Sequence, residues 1–283
     1  MQSKNKIGMI LLYIAAIILA VVFFFPIWIL ILTAFQPSNL SVYAKYPSLI
    51  LQSITLTNVI SSFKTPSNGL VGSLLRSLEV AFIVGFLALG LGIPASYGLS
   101  KISASISNKI IVLLFLVNMM PGLVIAIPIA SDFIRLGIQN TSPYVVFSVA
   151  FAQELVVLPL TVFVILGGFR SLPKDLENQA RVDGANFRTA FARLLLPLNK
   201  IAILVAFLLA WMTSWDEFTY AVIVAPIAPS NTTFPVTLQN YVSYGYPLIS
   251  ATFALVASIP VIILAVFLMK YLKGGYLSGG LIG

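Results

Sequence analysis

Four carboxylates stand where an apolar chain has little reason to keep them: Glu79, Glu154, Asp216 and Glu217 lie in or beside long hydrophobic runs. An acid at membrane depth costs about 2.5–3.5 kcal/mol at a helix centre and is a functional candidate by default. Such residues either pass protons or cations, or act as polar glue facing a partner or a watery cavity, and both readings fit these residue types. Other chemistry is excluded by composition. The chain has no cysteine and no histidine, so disulfides, thiol nucleophiles and the usual nitrogen and sulfur metal ligands are all absent. No catalytic residue and no metal site is read. The stretch Leu277-Ser278-Gly279-Gly280 spells the opening of a signature found in nucleotide hydrolases. With no G-x-x-x-x-G-K-[ST] loop anywhere, that match is coincidence, and the chain cannot cradle a nucleotide.

The one long charged stretch is residues 169–200, FRSLPKDLENQARVDGANFRTAFARLLLPLNK, two short helical patterns broken at Gly184. Ser171 is expected to cap the first, Pro173 to sit in its first turn, and Asp175 and Glu177 to face the positive end of its dipole. Gly184 reads as a left-handed stop. Beyond it Phe187, Ala190, Phe191, Leu194 and Leu195 recur at helical spacing, with Arg188 and Arg193 outside that stripe. The pattern suits an amphipathic helix lying on headgroups or a helix-turn-helix knob presented to a protein in water.

The elements that hold these residues are membrane helices. The 283 residues are 59% hydrophobic and 8% charged, against roughly a quarter charged in soluble domains, and mean hydropathy is +1.04. The apolar runs are continuous and too long for the ~10-residue alternation of a membrane β-barrel. The fold class expected is therefore an all-α polytopic membrane protein with six spans, at about 7–35, 77–99, 110–130, 144–166, 201–224 and 248–269, in one transmembrane domain covering residues 1–283. The first run exceeds a signal peptide's apolar core and reads as a retained span kinked at Pro26. Pro121-Gly122 and Pro128 predict a bend in the third. Of the 16 Lys and Arg, twelve fall on the side of the N-terminus and of residues 169–200; Lys45, Lys64, Arg76 and Arg135 fall on the other. That asymmetry puts both termini and the charged loop in the cytoplasm and accounts for the net charge of +8 without a nucleic-acid partner. The Asn-x-Ser/Thr acceptors Asn39, Asn140 and Asn231 then lie outside.

Several stretches together resemble one family. Ala180-Arg181-Val182-Asp183-Gly184-Ala185, followed at fixed spacing by Leu194-Leu195-Leu196-Pro197, is similar to the EAA loop of ABC importer permeases (Glu-Ala-Ala, three residues, Gly, nine residues, Ile-x-Leu-Pro). The opening departs from it: Asn178-Gln179 stand where Glu-Ala is usual, and Glu177 comes one position early. Ala95-Ser96-Tyr97-Gly98-Leu99-Ser100-Lys101, Leu136-Gly137-Ile138-Gln139-Asn140-Thr141, Gly168-Phe169-Arg170-Ser171-Leu172-Pro173 and Ser214-Trp215-Asp216-Glu217-Phe218 resemble further motifs of the carbohydrate permeases, in order. The resemblance is to the maltose-type branch and to its six-span subunit, with a type I importer permease fold.

What the resemblance implies is a cell-membrane, multi-pass permease, not itself an enzyme, in an ATP-driven sugar importer. The sugar would be a hexose or a small oligosaccharide. Its partners would be a homologous second permease, two copies of an ATP-binding subunit that hold the Mg-ATP, an extracytoplasmic sugar-binding protein and the bilayer. The chain would carry no cofactor of its own. Coupling to the ATPase would fall to Glu177, Asn178, Ala180, Asp183, Gly184, Ala185, Phe187, Arg188 and Pro197. Trp211, Trp215, Asp216 and Glu217 would line the translocation path. Asn240, Tyr241 and Tyr244, in the uncharged segment 225–247, would meet the binding protein or simply mark the headgroup level. The tail from Gly274 would be a second ATPase contact or a frayed end. The rival is an ion-coupled secondary carrier working through Glu154 and Asp216/Glu217.

Overall fold

The computed structural model describes residues 2–41, 43–45, 47–64, 69–137, 144–173, 175–225 and 232–279, and the regular elements among them are all helical. Asn140 and Asn231 lie outside the described residues. Four long helices dominate: α1 Gln2–Phe35, α3 Leu70–Lys101, α6 Tyr144–Ser171 and α13 Pro247–Gly279. Each is long and apolar enough to cross a bilayer alone, and six spans result if two bent pairs are counted as one each. Pro26, Pro94, Pro159 and Pro260 sit inside these four helices.

The first bent pair is α4 Ala104–Asn118 and α5 Gly122–Arg135, which meet at 81°. Pro121 has no N–H to donate and disfavours helical backbone at Met120, so α4 stops and α5 restarts with Pro121 as its cap. The second joins residues 187–198 to α10 Lys200–Trp215 at 71°. Short helices fill the connections: α2 Thr57–Lys64, α7 Leu176–Val182, α8 Phe187–Ala190, α9 Leu196–Leu198, α11 Thr219–Val224 and α12 Phe234–Ser243. Within the uncharged segment 225–247, residues 234–243 form helix α12, and Phe234, Val236 and Thr237 bury one of its faces.

The chain divides into two compact units, residues 1–70 with 237–259 and residues 71–236 with 260–283. In the first, polar side chains tie down the end of α1. Asn58 Nδ2 donates to the carbonyls of Ala34 and Gln36, each at 3.2 Å, and the buried Gln36 donates to Ile50 O at 2.8 Å. The Asn58 bonds occupy carbonyls at the end of α1 that would otherwise be left unpaired. The most apolar window of α1 is 0% buried within the chain, which suits lipid or another membrane subunit.

The second unit is organised around α6, which packs against α4, α5, α10 and α11. Its core is built from small and branched residues: Val80, Val84 and Ala88 of α3, Ala126 and Ala130 of α5, Val149, Ala150 and Ala152 of α6, and Ala210 of α10. Small residues let membrane helices approach closely, and van der Waals packing then replaces the hydrophobic drive that lipid does not supply. Ser96 of α3 bridges to α6 by donating to Val162 O at 2.9 Å.

Candidate functional site: the segment between α6 and α10

Residues 175–199 lead into α10 through a series of fixed turns. Ser171 does not cap α7 as its position suggests. Helix α6 runs on to Ser171, whose hydroxyl donates back to Gly168 O at 2.8 Å, and Asp175 takes the cap position. Helix α7 closes in a Schellman turn: Ala185 N donates to Ala180 O at 2.9 Å and Gly184 N to Arg181 O at 3.0 Å. Gly184 sits at φ +86°, backbone that residues with a Cβ enter at a cost. Asn186 then starts α8, its Oδ1 accepting from Thr189 N at 2.9 Å.

Helix α8 runs into a π-helical turn, Phe191–Leu195, just before Pro197. A proline ring clashes with the carbonyl four residues back, here Arg193, and widening the turn makes room for it. Asn199 ends this stretch and begins α10. It is buried, at 3% exposure, and its Nδ2 donates to Ile165 O of α6 at 3.3 Å. Its side chain lies over Gly168, where a Cβ would come within 1.8 Å of Oδ1. The bend between the segment and α10 is thus keyed into α6 by one amide and one missing side chain.

Glu177 points inward. It is 7% exposed, and its carboxylate accepts from Lys101 Nζ, from Arg181 at 2.7 Å and from the Tyr97 hydroxyl at 3.0 Å. The Lys101 bond leads, Arg181 and Tyr97 add to it, and together they outweigh burial and hold the carboxyl below its usual range. The ring of Tyr97 stacks into a cluster with Phe169, Phe187 and Phe191, with centroids 5.0–5.8 Å from its own. Around this anchored base much of α7 and of the turn into α8 is open. Asn178, Asp183, Arg188 and Pro197 are exposed, Ala180 and Ala185 are half-buried, Val182 is 89% exposed and Phe187 51%. The apolar Val182 thus stands exposed at the tip of an anchored base.

The other expected residues fall elsewhere. Trp211 and Trp215 are buried and stack on one another at 5.1 Å and 10°, with Phe234 continuing the stack against Trp215. Neither indole has a free face in this structure. Asp216 is exposed, while Glu217 caps α11 by accepting from Tyr220 N at 2.8 Å and Ala221 N at 3.2 Å. Gln153 of α6 donates to Glu217 at 3.2 Å and accepts from Ser214. Glu154 is buried at 4% exposure, with no hydrogen-bond partner on either carboxyl oxygen among the described residues, and Glu79 is exposed. In the first unit, Asn240 and Tyr244 are exposed on and just past α12, and Tyr241 packs on Tyr246 and Phe253. Among the described residues no cluster of His, Cys, Asp or Glu could hold a metal ion. Sequence reasoning missed Asn199 and gave Lys101 and Tyr97 no part in the site. The one available signal was Asn199 itself, a lone amide between Pro197 and a run of apolar residues.

The fold is thus a helical membrane-type scaffold carrying an exposed helical elbow. Residues 88–276, more than half the chain, match the family model described as binding-protein-dependent transport system inner membrane component, and the chain belongs to that family. It is 30% identical to the sulfoquinovosyl glycerol transport system permease protein SmoH of Agrobacterium fabrum, over 98% of this chain and 95% of that one. It is 26% identical to the trehalose/maltose transport system permease protein MalG of Thermococcus litoralis, over the whole of both. Among solved structures, a bacterial alginate ABC transporter in complex with an alginate pentasaccharide-bound periplasmic protein contains a chain of the same fold. Its TM-score is 0.67 at 12% identity, with 93% of this chain and 94% of that one covered. The protein is thus an ABC transporter permease of the cell membrane.

Proposed function

We propose that this chain is the non-catalytic transmembrane subunit of an ATP-driven importer for a sugar, a hexose or a small oligosaccharide. Residues 169–200 and both termini face the cytoplasm. There the elbow from α7 to α9 seats in one of two ATP-binding subunits, which hold the Mg-ATP. A homologous permease completes the translocation path, and an extracytoplasmic sugar-binding protein delivers the cargo. Asn178, Ala180, Asp183, Ala185, Phe187 and Arg188 form or support the seated surface, with Val182 at its tip. Gly184 and Pro197 set its shape.

The observation that carries this reading is the construction of residues 175–199. The Schellman turn at Gly184, the π turn before Pro197 and the Asn199–Gly168 key leave no loose joint between the exposed tip and α10. Such a segment transmits displacement, and a power stroke delivered from outside the chain needs that property. The sugar class rests on the relatives, whose names specify sulfoquinovosyl glycerol and trehalose or maltose.

The test is reconstitution of the complex in liposomes with its binding protein, screened against a panel of sugars. ATP hydrolysis should rise with one sugar class, and uptake should follow ATP and ignore an imposed proton or sodium gradient. Uptake that follows the gradient without ATP would refute the proposal and favour the ion-coupled carrier.

A further inference from the structure

Helix α7 is exposed along most of its length: Asn178, Gln179, Arg181 and Val182 are exposed, Leu176 and Ala180 are half-buried, and Glu177 alone is fully buried. Three donors converge on its carboxylate. Lys101 and Arg181 each reach one oxygen, and the Tyr97 hydroxyl lies 3.0 and 3.2 Å from the two. A carboxylate so engaged and so buried has little left to offer a cation on another subunit. Two of the donors, Lys101 and Tyr97, come from the last turns of α3, a membrane-spanning helix. Tyr97 also packs its ring on Phe187 and Phe191, in the second half of the elbow. Neither half of the elbow can therefore shift without pulling on α3 or breaking this cluster.

We infer that Glu177 is a positioning residue which clamps the coupling elbow to α3 from inside the subunit, so that displacement of the elbow is delivered to α3 as well as to α10. The inference rests on the coupling role proposed above and adds a second output to it. It also divides the acidic face of the elbow, with Glu177 holding the subunit together and Asp183 remaining open to the ATPase.

The chain has no native cysteine, so a single spin label reports cleanly. A label at Val182→Cys, 89% exposed at the tip, reads the mobility of the elbow in the full-length chain in lipid nanodiscs. Glu177→Gln and Lys101→Met should raise that mobility. Lys101→Arg should leave it unchanged, because a cavity of about 370 Å³ beside the clamp accommodates the longer side chain. Tyr97→Phe removes one donor and keeps the ring cluster, so it should give an intermediate rise even if a charge-removing variant fails to fold. In the reconstituted complex, Glu177→Gln and Lys101→Met should lower sugar transported per ATP by about tenfold, ~1.4 kcal/mol of coupling. Unchanged mobility and an unchanged ratio in both variants would overturn the clamp, and so would a loss in Lys101→Arg equal to that in Lys101→Met. If the unsubstituted complex shows no sugar-stimulated hydrolysis, the proposed function fails, and the spin-label comparison still decides the clamp.

Discussion

Replacing Gly168 by alanine tests the joint on which coupling depends. A Cβ there would lie 1.8 Å from Asn199 Oδ1, 2.8 Å from its Cγ and 2.6 Å from Ala202 Cβ. Carbon atoms pack at about 3.5–4.0 Å, so Ala202 must retreat by roughly an ångström and Asn199 must leave its place. Overpacking of this kind costs about 1–3 kcal/mol. Displacing Asn199 also breaks its bond to Ile165 O in a buried setting, worth a further ~1–3 kcal/mol if the amide stays unpaired. The whole of that strain, about 2–6 kcal/mol, falls on the 71° bend between elbow and α10. Gly167→Ala is the matched control, since a Cβ at that position meets nothing within 4 Å. Alanine there should be neutral or should stabilise the helix by up to ~1 kcal/mol. Both variants would be assayed for sugar transported per ATP in liposomes and for thermal stability of the purified complex by size-exclusion chromatography. Gly168→Ala should lose coupling at least tenfold and melt earlier, while Gly167→Ala matches the parent. Adding Asn199→Ala to Gly168→Ala should recover only part of the loss, because Ala202 still obstructs. Equal transport and equal melting for Gly168→Ala and Gly167→Ala would refute the keyed bend.

Gly184→Ala meets no neighbour within 4 Å, so its penalty is the left-handed backbone alone, about 1–2 kcal/mol. It should reduce coupled hydrolysis modestly. Gly184→Pro, which also removes the bond to Arg181 O, should abolish coupled hydrolysis while the chain still inserts, as membrane fractionation and ATPase assays will show. Because the folded state holds the Glu177 carboxyl below its usual range, the clamp's contribution is present above the unfolded carboxylate value of about 4.3 and fades as pH falls through the lower folded value. Label mobility at position 182 should therefore stay flat from about pH 8 to 5 and rise only once pH has fallen below the ordinary carboxylate value of about 4.3, with no such rise in Glu177→Gln. Glu154→Gln replaces a buried acid that has no partner with a neutral side chain of the same shape. Thermal stability should hold or improve, and ATP-driven uptake should persist. Loss of uptake in a variant that remains stable would revive the ion-coupled reading.

Signals carried by single residues or short runs were legible in the sequence. Continuous apolar runs too long for barrel strands dictate helices in lipid. Pro121 breaks a span because it has no N–H to give, and Gly184 ends α7 because only a residue without a Cβ takes φ +86° freely. The distance from Gly184 to Pro197 announced the elbow. Each of these follows from covalent structure acting within a few residues. What tertiary structure alone decided is which faces meet. Glu177 finds Lys101 and Tyr97, 76 and 80 positions away, and is drawn inward by them. Asn199 finds Gly168 and Ile165, 31 and 34 positions back, and Trp211 and Trp215 fill the interior against Phe234. Nothing local distinguishes a carboxylate that will face water from one that will close on a neighbouring helix. That choice is made when α3, α6 and α10 pack, because a charge or amide taken out of water must find its partners wherever the packing has put them.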